Sequence, residues 1–221
     1  MSATPEIVVG TTALEAGGVD LDIVSQLTHW RDGLPELVGA GVTLREIRPA
    51  DGPTLFSMMS APEVTQFIWP PPSTLEGFDK FITWSERQRA AGNCLCFGVV
   101  PDGCEAAVGL FQLRTLDPGA FDTAEWGFAM GSAFWGTGLF QEAAVQVIDF
   151  AFDVVGVHRL EARAASPNGR GNGALHKLGA VQEGVLRRSF LKDGQFMDQI
   201  LWAILDIDWR LAHEQAVALL H

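Results

Sequence analysis

Two glycines one residue apart, Gly136 and Gly138, open an amphipathic run over residues 139–152. A glycine turn that enters a helix leaves the first backbone N–H groups free at the positive end of the helix dipole. That arrangement suits an anion, and a phosphate in particular. Glycine is needed because a side chain would obstruct the ligand or forbid the dihedral angles. The same pair is also compatible with an ordinary tight turn, since Gly-x-Gly is short and common. No Gly-Lys-Ser/Thr follows, so the turn is not a Walker loop. The third glycine and the acidic residue of a dinucleotide fingerprint are also missing.

Composition bounds what such a loop can serve. The chain has 221 residues, enough for one domain with a short appendage, and 48% hydrophobic residues, enough for a full core. No run of 18 apolar residues and no signal-like N-terminus is present, so neither a membrane span nor export is expected. The three cysteines, Cys94, Cys96 and Cys104, do not pair evenly and are expected as buried free thiols in a cytoplasmic protein. A metal site would need a second ligand cluster, and none is expected. Lys plus Arg number 15 against 27 Asp plus Glu, a net charge of -12 that disfavours nucleic acid and is compatible with a cationic amine.

The elements that must position the loop can be read in order. Residues 1–40 form an N-terminal extension, loose at first and carrying a short helical stripe over 21–34 that packs on the domain or on a partner. Alternation predicts a strand at 42–48, and Pro49 to Pro53 starts a helix to about Ser60 with Asp51 as its cap. Trp69-Pro70-Pro71-Pro72-Ser73 must be a loop, and a helix at 74–91 carries Phe78, Phe81 and Ile82 on one face. Strands are expected at 94–100, 106–115 and 123–130. In the last of these, Glu125 and Gly127 share one side while Trp126 and Phe128 share the other. After the glycine turn come a helix to about Val155, a strand at 157–164, a helix at 168–178 ended by Gly179, strands at 181–190 and 195–205, and a final helix at 207–220. This is an α/β order with a mixed sheet.

Trp135-Gly136-Thr137-Gly138-Leu139-Phe140-Gln141-Glu142-Ala143 resembles the pyrophosphate loop of the GNAT N-acetyltransferases, and most of all the branch that contains the ribosomal-protein N-terminal (alanine) acetyltransferases. A second motif follows at the right distance: Asn168, then Leu178-Gly179-Ala180, then Glu183-Gly184. Gly171 stands where serine is common in the family, and Ala180 where phenylalanine is common. Two separated motifs in the right element order are far more specific than one glycine loop. The resemblance covers roughly residues 41–206 and implies the GNAT fold, a mixed, mostly antiparallel sheet flanked by helices, in a domain at 41–221.

The resemblance implies acetyl-CoA as cosubstrate and an amine acceptor, either a protein N-terminus or a small molecule. It implies cofactor contacts from Phe128, Ala129 and Met130, from Phe134 through Phe140 (Phe134, Trp135, Gly136, Thr137, Gly138, Leu139, Phe140), and from Asn168, Gly171, Asn172, Leu175 and Lys177. Asn168 is also a good helix cap. By the same resemblance Glu125 is the candidate base, acting through a water from a strand it shares with apolar Trp126 and Phe128. Many relatives place a tyrosine acid seven residues after the motif asparagine. Leu175 stands there and the chain has no tyrosine, so that route is excluded. Ser189 is a candidate acid on a late strand, and unaided departure of the thiolate is the preferred alternative. A non-catalytic acyl-CoA-binding module and a dimer clasp formed by residues 21–34 remain as other readings; the protein is expected as a monomer or homodimer.

Overall fold

The computed structural model describes residues 29–116 and 122–218. Most of the helical stripe expected at 21–34 lies outside these residues. Its end, 29–32, is a turn that buries Trp30 in the core. One eight-stranded sheet organises the domain, in the order β1-β2-β3-β4-β5-β6-β8-β7. Its strands are β1 (Leu37–Val38), β2 (Val42–Glu46), β3 (Cys94–Pro101), β4 (Gly109–Thr115), β5 (Thr123–Met130), β6 (Arg159–Ala165), β7 (Val181–Lys192) and β8 (Gln195–Leu205). All neighbouring pairs are antiparallel except β5 with β6. The mixed, mostly antiparallel sheet expected from the sequence is therefore present. β1 was not foreseen: it attaches the end of the extension to the sheet's edge.

Alternation along the strands divides the apolar side chains between two faces. Leu95, Phe97, Phe111, Leu113 and Trp126 point to one face, where α4 (Leu139–Phe150) covers them with Ala143, Ala144, Val147 and Ile148. Ile47, Cys96 and Val100 join the other face under α1 (Gly52–Met59) and α3 (Leu75–Ala90), which contribute Leu55, Met59, Phe78 and Ile82. The single turn α2 (Pro62–Thr65) adds Val64. The Thr74 hydroxyl accepts from the Gly77 N–H at 3.0 Å and starts α3 after the proline loop. At its far end α4 widens into a π-turn at residues 151–155 rather than continuing as an α-helix. The closing helix α6 (Asp206–Ala218) is fastened to this segment through Trp209 Nε1 to Asp149 at 2.7 Å and Arg210 to Asp153 at 2.8 Å.

Two expectations need correction. Cys94 and Cys96 are buried free thiols, but Cys104 is exposed, because it follows the tight turn after β3 rather than lying on a strand. Asp51 makes no side-chain bond to the first turn of α1; its carboxylate caps backwards instead, accepting the Arg48 N–H as one half of a capping box on the 49–51 turn. It is fully buried and receives both Arg45 guanidinium nitrogens at 2.8 Å, the Arg48 N–H at 2.7 Å and the Ala107 N–H at 2.9 Å. These partners tie β2, the entry to α1 and the turn before β4 to one carboxylate. Burial by itself would raise the Asp51 carboxyl; the Arg45 and backbone hydrogen bonds outweigh it and hold it below the ordinary carboxylate value.

A folded-state carboxyl held low stabilises the protein above its unfolded pKa, and that contribution is lost as pH falls through the folded value. The Asp51 contribution should therefore be complete above about pH 5 and decline below about pH 4. Asp51→Asn should cost about 3–5 kcal/mol in urea unfolding at neutral pH, because Arg45 is left buried without its counter-charge. The variant should also show a flatter acid limb than the parent.

Candidate active site

The decisive geometry is where β5 and β6 stop pairing. They are joined only at Thr123↔Arg159, Ala124↔Leu160 and Glu125↔Glu161. Beyond that point β5 stays with β4 as far as Met130, while β6 stays with β8 as far as Ala165. The strands part, and the peptide edges of 126–130 and 162–165 face each other across a gap. Backbone groups along a strand edge must find partners. An extended ligand carrying amides can supply them.

The glycine turn closes one end of this gap. Gly136 and Gly138 have φ of 76° and 91°, left-handed values that glycine alone adopts without strain. A side-chain atom at either would meet nothing within 4 Å, so the space before the turn is open. Gly138 precedes α4, whose first-turn N–H groups have no intrahelical acceptor. The Thr137 hydroxyl donates to the Phe134 carbonyl at 2.8 Å and fixes the turn. The Phe140 ring packs on Phe111 and Phe128 with centroids at 5.6 and 4.6 Å. That ring is an anchor that fixes the start of α4 to the sheet. Trp135 donates its indole N–H to the Met130 carbonyl at 2.9 Å, and the Arg170 guanidinium lies 4.1 Å over its ring. Arg170 belongs to α5 (Gly169–Lys177), so this contact joins the two motif regions.

At the start of α5 the Asn168 side chain accepts from the Gly171 N–H at 2.9 Å, the cap expected of it. A Cβ at Gly171 would come within 2.6 Å of Asn168 Nδ2, so Asn168 occupies the room that a serine would take there. Asn172 is engaged inside the protein: Nδ2 donates to the Ala165 and Asn168 carbonyls, and Oδ1 accepts from Trp202 Nε1 at 2.9 Å. That set leaves it the task of fastening α5 to β6 and β8. Leu175 is buried at the cavity wall, whereas Lys177 is exposed in the last turn of α5.

A cavity of about 870 Å³ runs from the parted strands to the first helices. Its floor is one face of β3–β5, set by register. Cys94, Arg114 and Glu125 form one row; Gln112 and Gly127 lie in the next, and Leu110 and Ala129 in the third. Residues 67–73 and α3 form the far wall. As alternation expects, Trp126 and Phe128 lie on the opposite face from Glu125, so they do not pack on its carboxylate; register sets Arg114 against Glu125 at 2.7 Å instead. Burial pushes the Cys94 thiol up to about 11, with Arg114 offsetting part of the effect, so at neutral pH it is protonated and a poor nucleophile.

Ser189 requires a correction in position. Between Leu186 and Phe190, β7 slips against β8, and Arg188 takes a left-handed φ of 51° with its N–H held by Asp198 at 2.8 Å. The bulge leaves Ser189 exposed, its hydroxyl 2.9 Å from the Leu186 carbonyl and 3.0 Å from Gln199 Oε1. Phe190 and Gln199 line the cavity, and Ser189 does not. Phe190 receives the edge of Trp69 with centroids 5.3 Å apart, and Lys192 Nζ lies 3.4 Å from the Ile68 carbonyl. The proline loop is therefore fastened to the β7–β8 hairpin as a roof.

Residues 42–181 match the family model described as an acetyltransferase (GNAT) domain. The chain belongs to the GNAT acetyltransferase family. It is 30% identical over 135 residues to YjcK of Bacillus subtilis (strain 168), named a probable N-acetyltransferase, over 61% of this chain and 75% of that protein. It is 28% identical to the [ribosomal protein uS5]-alanine N-acetyltransferase of Escherichia coli (strain K12), over 53% of this chain and 61% of that enzyme. Among solved structures, RimJ of Mycobacterium smegmatis in complex with CoA-disulfide superposes with a TM-score of 0.67 at 26% identity, over 79% of this chain and 87% of that one. The chain is thus an acyltransferase of a family that uses acetyl-CoA, similar to its ribosomal-protein branch. Among the described residues of this acetyltransferase, no helix is long and apolar enough to cross a membrane.

Gly138→Trp should abolish the rise in melting temperature that acetyl-CoA causes in the parent. Strain at the left-handed position should lower the unliganded melting temperature by about 2–8 °C. A retained acetyl-CoA shift would show that the turn does not hold the cofactor.

Proposed function

We propose that the protein transfers the acetyl group of acetyl-CoA to a primary amine, on a protein N-terminus or a small molecule, by direct attack within a ternary complex. The observation that carries this reading is the single cavity that unites the gap between β5 and β6 with the aromatic wall of α3 and the proline loop. A thioester entering along the parted strands and an amine entering under the roof meet over Glu125 and Gly127.

The amine nitrogen attacks the thioester carbonyl carbon, the N–C bond forms, and the C–S bond breaks as the tetrahedral intermediate collapses. An N–H of 128–130 is the candidate donor to the developing oxyanion. Glu125 takes the amine proton through a water. An α-amine, with a pKa of about 7.7–8.0, asks less of that base than a lysine amine near 10.4. The chain has no tyrosine, and neither Ser189 nor the protonated Cys94 thiol fits the acid's task better than solvent. The CoA thiolate, of ordinary thiol acidity near pKa 8.5, departs unaided and takes its proton from water.

Glu125→Gln should lower kcat by about 10²–10⁴-fold while leaving acetyl-CoA affinity within a factor of about two. Thiol release in stopped-flow single turnovers and a calorimetric Kd measure the two separately. Equal rates for parent and variant across pH would remove Glu125 as the base. Absence of thiol release with every amine tested, despite tight acetyl-CoA binding, would support the acyl-CoA-binding module instead.

A further inference from the structure

We infer that the acceptor is a primary amine carried close to an aromatic ring, and that Phe81 and Trp84 of α3 form the face that binds that ring. This deepens the amine-acetyltransferase reading and rests on it for the position of the amine.

The rings on α3 change character along the helix. Phe78 is buried in the core, Phe81 is half-buried, and Trp84 is 44% exposed, yet all three border the same cavity. Phe81 and Trp84 lie nearly parallel, 25° apart with centroids at 6.0 Å, and Phe78 meets Phe81 edge-on at 6.4 Å. The series therefore starts in the core and ends on a partly exposed stacked pair that lines the cavity. The proline loop adds a second aromatic pair to the same lining, Trp69 edge-on to Phe190, with Trp69 67% exposed. Large exposed apolar side chains gathered at one concave site mark a place where a ligand covers them.

Two aromatic pairs in one cavity lining select by shape. A planar ring gains contact with both, and aromatic pairs prefer offset or edge-on packing, the geometries the walls offer. An alkyl chain of equal length covers less of either surface. The charges in the cavity narrow the class further. Arg114 faces Glu125 at 2.7 Å, and Arg163 has Glu161 at 4.0 Å. Among the described residues, each cation that borders the cavity already has a carboxylate beside it, so an acid group on the acceptor would have to compete for it. The chemistry left to recognise is an amine directed at Glu125 and a neutral ring placed against α3. A free arylalkylamine and a peptide that begins with an aromatic residue share it.

The test uses the full chain saturated with CoA and calorimetric titration with phenethylamine and hexylamine, the alkylamine of equal length. Phenethylamine should bind at least about tenfold more tightly, the scale on which a fitted apolar pocket discriminates. Affinities within about threefold of each other would overturn the proposal. Trp84→Ala should shrink the difference to about threefold or less, and Trp84→Phe should restore part of it. An unaltered melting-temperature rise with acetyl-CoA shows that both variants are folded. A preference that survives Trp84→Ala would also overturn the assignment. Thiol release with phenethylamine, a phenylalanine-led peptide and an alanine-led peptide then separates the two sources, since the faster ring-bearing acceptor names the class. If no amine releases thiol, the proposed reaction fails, and the calorimetry still decides whether the ring-binding face exists.

Discussion

Everything in the site depends on two parallel strands that pair for three residues and then part. A strand edge left open inside a fold is unfavourable unless something meets its N–H and C=O groups. Here β4 and β8 hold the outer edges of β5 and β6 over their whole length, so the gap cannot close by the strands drifting together. The protein keeps the inner edges open at a fixed separation, next to a helix N-terminus that favours negative charge. Loop, gap and helix cap are consequences of one departure from regular pairing.

The two faces of the sheet divide the remaining work. One is filled by Phe97, Phe111, Trp126 and α4, and Phe140 fastens the glycine turn to it. The other is closed over α1 but left hollow toward β5, where Gly127 contributes no side chain. The hollow is stable because its borders are tied elsewhere. Asp51 fixes β2 and the entry to α1, Asn172 fixes α5, and the bulge of β7 turns Phe190 inward.

Local pattern carried much of this to the sequence level. Alternation around Trp126 placed Glu125 and Gly127 on one face, and Asn168 read as a helix cap, the role its bond from the Gly171 N–H gives it. Gly136 and Gly138 read as positions where a side chain would obstruct a ligand or forbid the dihedral angles, and both take a left-handed φ. What stayed hidden depends on register or distant partners. Arg114 meets Glu125 only because β4 and β5 pair at that level, and Asp51 answers a backbone N–H 56 residues away. The insertion that exposes Ser189 is a slip between two strands, and no residue of β7 alone announces it. The partner of Trp69 lies on the far hairpin, so the proline loop read only as a loop and not as a roof.

That roof has a consequence for how the molecule comes into being. Lys192 reaches the Ile68 carbonyl across 124 residues, and Trp69 must wait for Phe190. Chains emerge from the ribosome N-terminus first, and contacts of large sequence separation form late. The glycine turn and α4 are therefore complete while the chamber beside them still lacks its cover. During synthesis the glycine turn and its helix precede the roof of the cavity, which closes only once the β7–β8 hairpin has been added.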